Sequence, residues 1–282
     1  MNPPRLSPLI VEDAVRRALR EDFGDAGDIT TNAAIPAKAK SEAVIAARKS
    51  GVISGVDAAI AAFHLVDSAL DISTLKDDGA SVEKDDVVLT VSGPSRGVLS
   101  AERVALNFMG HLSGVATATA TLVEAVRGTN AKIVCTRKTT PGLRAFEKYA
   151  VRCGGGYNHR FGLYDAVMIK DNHIAAAGGV KEALAAVRGA VGHMVKVEIE
   201  IDRLDQLEDA LSGGADVVLL DNMPPDALRR AVTANQGRAV LEASGSVTVD
   251  TVRAIAETGV DVISSGWITH SAPNLDLGLD FL

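Results

Sequence analysis

Residues 132–170 read KIVCTRKTTPGLRAFEKYAVRCGGGYNHRFGLYDAVMIK, and the rest of the chain is read outward from them. Two short apolar runs, KIVC and AVMI, have the look of buried strands, and each ends in cations: Arg137 and Lys138 after the first, Lys170 after the second. Between Thr136 and Lys170 there are seven Lys or Arg residues against two acids, Glu147 and Asp165, in a chain whose formal net charge is -7. Positive charge gathered at strand ends inside an acidic protein points to an anion site on a rigid scaffold. The competing reading is a basic surface helix, because LRAFEKYAVR also has helical character.

The pattern begun at Lys132 continues to the C-terminal region. Apolar runs recur as KIVC, AVMI, KVEIEI, VVLL, AVLEA and DVIS. Helical patterns such as VKEALAAVRGA and VDTVRAIAETG separate them. Strand followed by helix, repeated, is the signature of parallel βα units. Strands that are apolar almost throughout are covered on both faces. Polar residues stand at the C-terminal end of each run: Arg137-Lys138, Lys170, Glu200, Asp221, Ser244-Gly245 and Ser265-Gly266. A closed or nearly closed α/β barrel brings all these ends to one rim, where active sites of that architecture lie. Six runs are clear, so the barrel is expected to have fewer than eight strands. Any one strand-end residue could instead cap a helix, but six in a row, grouped by sign, are harder to dismiss that way.

Upstream, residues 101–127 read as a long helix broken near Ser113-Gly114, with small residues in its later half suited to close packing. Arg103 reads as a surface cation on its first turn. Residues 41–100 look β-rich: SEAVIAARKSGVISG alternates, DAAIAAFHLVDSAL is a helix with His64 among its packing residues, and GASVEKDDVVLTVSGPSRGVLS resembles a hairpin. That hairpin lacks a lysine at a turn tip, so no prosthetic group is expected on it. Residues 6–20 form a helix. EDFGDAGDITT after it could bind a metal, but reads better as a solvated turn in which Asp28 or Thr30 provides a local cap. The expected division is an N-terminal α/β sandwich domain over residues 1–115 and an α/β barrel over 116–269, with the tail 270–282 packing back on the first domain.

With 282 residues the length fits one large or two ordinary domains. No apolar run approaches the roughly 18 residues that would cross a bilayer, and MNPPRLSPLIVEDAV lacks the pattern of a signal peptide. Cys135 and Cys153 are not at metal-ligand spacing. These features predict a soluble, cytoplasmic protein with reduced thiols. The acidic balance argues against nucleic acid as the main partner.

The grouping of the strand-end residues suggests a substrate. Cations on the first two strands suit carboxylates or pyrophosphate, with arginine giving bidentate geometry. Glu200 and Asp221 could hold a metal or stabilise positive charge growing on a sugar. Ser244-Gly245-Ser246 and Ser265-Gly266-Trp267 form turns that expose backbone N–H groups and suit a phosphate. Gly154-Gly155-Gly156 does not match a nucleotide loop and reads as slack that brings His159 and Arg160 to the site.

These residues resemble a known family. TRKTTPGLRAFEKYAV, GGGYNHRFGLYDAVMIKDNHI, EIE and LLDNM, with ERVALNFMGHLSGVATAT and EDFGDAGDITT upstream, are closely similar to nicotinate-nucleotide pyrophosphorylase (carboxylating), also called quinolinate phosphoribosyltransferase. The resemblance spans essentially the whole chain. It implies an N-terminal α/β sandwich and an incomplete barrel. It also implies a homodimer with shared active sites and allows a hexamer as a larger assembly. The implied reaction takes quinolinate and phosphoribosyl pyrophosphate, with Mg2+, to nicotinate mononucleotide, pyrophosphate and CO2 in de novo NAD biosynthesis. By the same resemblance Arg137, His159 and Arg160 clasp the quinolinate carboxylates, and Thr136 lies with them in the substrate site. Lys138 and Lys170 face the pyrophosphate and the substrate charge. Glu200 and Asp221 sit by the ribose and the metal-bound pyrophosphate, with no direct metal ligand assigned. Ser244, Gly245, Ser246, Ser265 and Gly266 hold the 5-phosphate, and Arg103 reaches the partner subunit's pocket.

Two details depart from that pattern or stay open. Trp267 stands where a smaller residue is expected, and its ring is expected in packing. Glu198 rivals Glu200, since residues two apart on a strand share a face. Other readings are a paralogue of altered substrate, a nicotinate phosphoribosyltransferase without need of a second carboxylate clamp, and a non-catalytic anion-binding protein.

Overall fold

The structure, a computed structural model, describes residues 3–282. It divides into two compact units. The first gathers residues up to 120 with 139–155 and 271–282; the second holds 121–138 and 156–270.

The second unit is built on a six-stranded parallel sheet. Its strands are β1 (Lys132–Val134), β2 (Val167–Ile169), β3 (Val197–Ile201), β4 (Val217–Asp221), β5 (Val240–Ser244) and β6 (Val262–Ser264). Hydrogen-bonded neighbours run β1-β6-β5-β4-β3-β2. That is the order of a barrel: each strand pairs with the next in sequence and the last returns to the first. Only the β1–β2 seam carries no ladder among the described residues. The expected α/β barrel of fewer than eight strands is therefore what forms. Ile133, Val134, Ile169, Val197, Ile199, Ile201, Val218 and Leu220 are all buried, as near-continuous apolar strands require.

The first unit holds a four-stranded antiparallel sheet, which includes Lys40–Ala47, Val87–Pro94, Asp71–Thr74 and the C-terminal strand Leu277–Phe281. Lys40–Ala47 lies between Val87–Pro94 and Leu277–Phe281. Pro8–Phe23 is a helix with Pro8 in its first turn, where its missing N–H costs nothing. It buries Val11, Ala14, Val15 and Leu19. Asp28 caps the short helix Ile29–Ala34 by accepting from the Thr31 N–H at 2.8 Å, as the turn reading expected.

Several local expectations fail for packing reasons. The helix expected to break near Ser113-Gly114 runs unbroken from Ser95 to Ala125. Gly114 is there for close approach: a Cβ would meet the Pro273 carbonyl oxygen at 2.3 Å. The expected hairpin is absent, because Ser81–Val82 pairs with Gly51–Val52 while Val87–Pro94 pairs with Lys40–Ala47. His64 is exposed rather than packed. Arg144–Cys153 is not a basic surface helix, for it buries Phe146, Glu147, Lys148, Tyr149, Ala150 and Val151. Gly154 is not slack either: a Cβ there would lie 2.3 Å from the Ala116 carbonyl oxygen, so the glycine lets the helix end dock against the long helix.

That docking is reinforced by a buried acid. Asp78 accepts from the Tyr149 hydroxyl at 2.9 Å and the Val56 N–H at 3.1 Å. Burial, against those two hydrogen bonds, pushes its carboxyl up to about 6. An acid whose pKa is higher folded than unfolded stabilises most below its unfolded pKa and loses that contribution as pH rises through the folded one. Stability should therefore fall between about pH 4 and pH 7 by roughly 2–3 kcal/mol on account of this group. Denaturant titrations across that range should show the wild-type midpoint declining relative to Asp78→Asn; parallel curves would remove Asp78 as the cause.

Candidate active site

The C-terminal ends of the six strands surround one cavity of about 710 Å³. The alternation of strand residues explains its layers. Met168, Leu219, Glu242 and Ser264 form the deeper wall; Lys170, Glu200, Asp221, Ser244 and Gly266 follow two residues on, at the rim.

The cationic side comes from β1, β2 and the loop between them. Thr136, Arg137 and Lys138 leave β1 into the cavity wall. The Lys138 backbone is fixed from both directions: its N–H donates to Thr136 Oγ1 at 3.0 Å, and its carbonyl accepts from the Thr269 hydroxyl at 2.7 Å. After Tyr157, which bridges to Val134 of β1, the chain delivers His159 and Arg160. Asp165 shapes the loop beyond by accepting from the Phe161 and Gly162 N–H groups at 2.7 and 2.8 Å. Arg160 donates through Nη1 to the Ala166 carbonyl at 3.1 Å, while its buried Nε has no hydrogen-bond partner among the described residues. Burial, then repulsion from Arg137, holds the Arg160 guanidinium below its usual range. Two cations close enough to repel, one of them with a buried donor unspent, form a site that gains from a dianion.

The ends of β3 to β6 carry the acids and the turns. Lys170 donates to Glu200, tying the end of β2 to that of its neighbour β3 at the cavity rim. Asp221 accepts from Asn222 Nδ2 at 2.7 Å. Ser244, Gly245 and Ser246 leave β5, and Ser265 and Gly266 leave β6. Gly245 has φ +102°, and a Cβ on it would lie 2.1 Å from Asn222 Oδ1. Both the left-handed backbone and the contact demand glycine. Beyond this turn Thr248 opens the helix Val249–Ala256.

The structure also separates Glu198 from Glu200. Glu200 faces the cavity, whereas Glu198 lies one layer deeper, 6% exposed, with its Oε2 2.7 Å from His159 Nε2. Glu242 is 4% exposed, with Oε2 3.9 Å from the same nitrogen. Burial, then the neighbouring Glu198, raises the Glu242 carboxyl above the ordinary range. Trp267, expected in packing, is half-buried on the cavity wall instead.

Thirteen of the fourteen residues proposed for substrate from sequence line this cavity. The exception is Arg103, exposed on the helix Ser95–Ala125 of the first unit. Sequence reasoning missed Glu242 and Asn222. An acid inside the apolar run AVLEA was the available signal for the first, since acids are seldom buried without a purpose. For Asn222, whose φ is +51°, the signal was an asparagine directly after a strand-end acid.

Comparison with known proteins agrees with this arrangement. The family described as quinolinate phosphoribosyl transferase, C-terminal domain, matches residues 115–280, and its N-terminal domain matches 28–113. A probable nicotinate-nucleotide pyrophosphorylase [carboxylating] from Bacillus subtilis is 45% identical over 260 residues, 92% of this chain and 89% of that protein. The nicotinate-nucleotide pyrophosphorylase [carboxylating] of Mycobacterium leprae is 46% identical over 273 residues, 95% of this chain and 96% of that protein. The solved structure of the nicotinate-nucleotide pyrophosphorylase from Francisella tularensis superposes with a TM-score of 0.95 at 38% identity, covering 99% of this chain and 98% of that one. In fold and sequence alike, the chain belongs to the quinolinate phosphoribosyltransferase family.

Proposed function

We propose that the protein transfers the phosphoribosyl group of phosphoribosyl pyrophosphate to quinolinate with loss of CO2, giving nicotinate mononucleotide and pyrophosphate. The observation that carries this reading is the pair Arg137 and Arg160, neighbouring cations in a cavity also lined by Glu200, Asp221 and two Ser-Gly turns. A monocarboxylate would engage only part of such a clasp. In this reading Arg137 and Arg160 hold the pyridine dicarboxylate, with Thr136 and His159 in the same wall. Ser244, Gly245, Ser246, Ser265 and Gly266 receive the 5-phosphate, and Lys138 and Lys170 face the pyrophosphate.

The chemistry follows from charge. As the bond from C1 to pyrophosphate breaks, positive charge grows on the ribose, and Glu200 and Asp221 at adjacent strand ends favour it. The pyridine nitrogen forms the new bond to C1. When the adjacent carboxylate then departs as CO2, its electron pair remains on the ring carbon, stabilised by the neighbouring positive nitrogen, and a proton binds there in place of the carboxylate. Arg137 and Arg160 keep that ring oriented throughout. The donor set fits Mg2+, because Glu200 and Asp221 supply hard carboxylate oxygens beside the place assigned to pyrophosphate. Bound there, the ion would neutralise the leaving group.

The same reading makes the enzyme a cytoplasmic homodimer with shared sites, with a hexamer as the larger assembly. The exposure of Arg103 on the helix Ser95–Ala125, outside the cavity lining, supports a role for it in a partner's site.

Chromatography of products tests the function directly. The protein is incubated with phosphoribosyl pyrophosphate, Mg2+ and either quinolinate or nicotinate. Nicotinate mononucleotide is expected from quinolinate alone; product from nicotinate alone would contradict the proposal.

A further inference from the structure

The bonding of His159 carries an inference that rests on the carboxylate clasp just proposed and deepens it. Both ring nitrogens face groups of the protein itself. Nδ1 accepts the backbone N–H of Arg160 at 2.8 Å, and Nε2 lies 2.7 Å from Glu198 Oε2. A backbone N–H can only donate, so Nδ1 presents a lone pair and the ring hydrogen sits on Nε2, donated to Glu198. The ring is 11% exposed. In this arrangement neither nitrogen is offered to a carboxylate in the cavity.

We propose that Glu198 is a positioning residue: it holds the His159 ring so that its Nδ1 fixes the main chain of Arg160, and His159 serves the clasp through Arg160 rather than by touching substrate. Glu198 stands on β3, in the deep interior of the sheet. Arg160, in contrast, lies outside any regular element, in the loop before β2. A loop cation that must meet a planar dicarboxylate needs anchoring to something rigid, because small displacements of a binding group cost large factors in rate. The route Glu198–His159–Arg160 supplies that anchor.

His159, Glu198 and Glu242 bring three potential metal donors within 4.8 Å of one another. The hydrogen-bond pattern argues against an ion there. A metal on Nε2 needs the lone pair at that nitrogen and therefore a proton on Nδ1, which would point at the Arg160 N–H. Glu198 Oε1 and Glu242 Oε1 are buried without hydrogen-bond partners among the described residues. An acid kept in that state under a site for a dianion requires a reason, and for Glu198 holding the ring provides one.

Kinetics and NMR test the proposal together. Glu198→Met keeps the volume and removes the acceptor; Glu198→Gln restores an acceptor without the charge. Glu198→Met is expected to raise KM for quinolinate by about tenfold or more, the scale of one hydrogen bond to a charged group. KM for phosphoribosyl pyrophosphate should move less than about twofold, as uniform binding of the other substrate is untouched. Glu198→Gln should recover most of the loss. In the unaltered protein with 15N-labelled histidine, Nδ1 of His159 should be unprotonated and Nε2 protonated, with and without quinolinate. An unchanged quinolinate KM in Glu198→Met, a Gln variant as impaired as the Met variant, or protonation of Nδ1 when quinolinate binds would each overturn the proposal. Should Glu198→Met fail to fold, the spectrum of the unaltered protein decides. Absence of any turnover of quinolinate by the unaltered protein would instead remove the proposed function, while its ligand-free spectrum would still report on the hold.

Discussion

Arg137→Ala should weaken quinolinate binding by about 2–5 kcal/mol, the cost of removing one partner from a buried charge-assisted contact. Two effects add to that loss. A bidentate guanidinium contact disappears, and so does part of the drive to bind at all. In the free protein Arg137 and Arg160 repel, with burial and that repulsion acting together on Arg160. An incoming dianion relieves the repulsion, and the variant has less of it to relieve. Phosphoribosyl pyrophosphate should bind nearly as before, since the Ser-Gly turns, Glu200 and Asp221 lie on other strands. Isothermal calorimetry with each substrate separates the cases; an unaltered quinolinate affinity would take Arg137 out of the clasp.

The second large effect concerns Arg103. Arg103→Ala and Lys170→Ala should each abolish measurable turnover, and a mixture of the two should recover it. If each site takes Arg103 from the partner and Lys170 from its own barrel, a hybrid dimer has one intact site and one doubly damaged. Random exchange would make half the dimers hybrid, so recovery should approach about a quarter of the wild-type rate, as two-fold symmetry dictates. Lys170 suits the test because its side chain is held at the mouth by Glu200 and takes no part in the core. Exchange must be verified by tagged subunits; inactivity of a verified hybrid would count against a shared site.

The strand-end residues were legible because a parallel barrel repeats one grammar: a run of β-branched residues, then a polar residue at the rim. Arg137, Lys170, Glu200 and Asp221 each follow such a run, so position along the chain translated directly into position around the cavity. Depth was harder to read. Glu198 and Glu200 share a face, and only the three-dimensional layering separates the rim from the floor. The first unit was read least well, because its antiparallel pairs join distant segments. Val87–Pro94 pairs with Lys40–Ala47, so the local hairpin pattern misled. Glycines misled for a related reason. Gly114 and Gly154 look like breaks or slack in one dimension, yet each marks a place where another backbone comes too close for a Cβ.

The strand Leu277–Phe281 has a consequence for how the protein is made. It pairs antiparallel with Ala43–Ala47, and Asp280 receives Arg48 at 2.7 and 2.8 Å across 232 positions of sequence. During translation the first sheet is therefore incomplete until residues 277–281 have been made. Until then one edge of Lys40–Ala47 presents unpaired N–H and C=O groups, a template for any other nascent strand nearby. Closure across so long a separation is also slow, because the entropy of the intervening chain is lost before the ladder rewards it. Pairing of Leu277–Phe281 with Ala43–Ala47 closes that edge and completes the four-stranded sheet. The strand that looks most peripheral is the one that ends the interval in which aggregation competes with assembly.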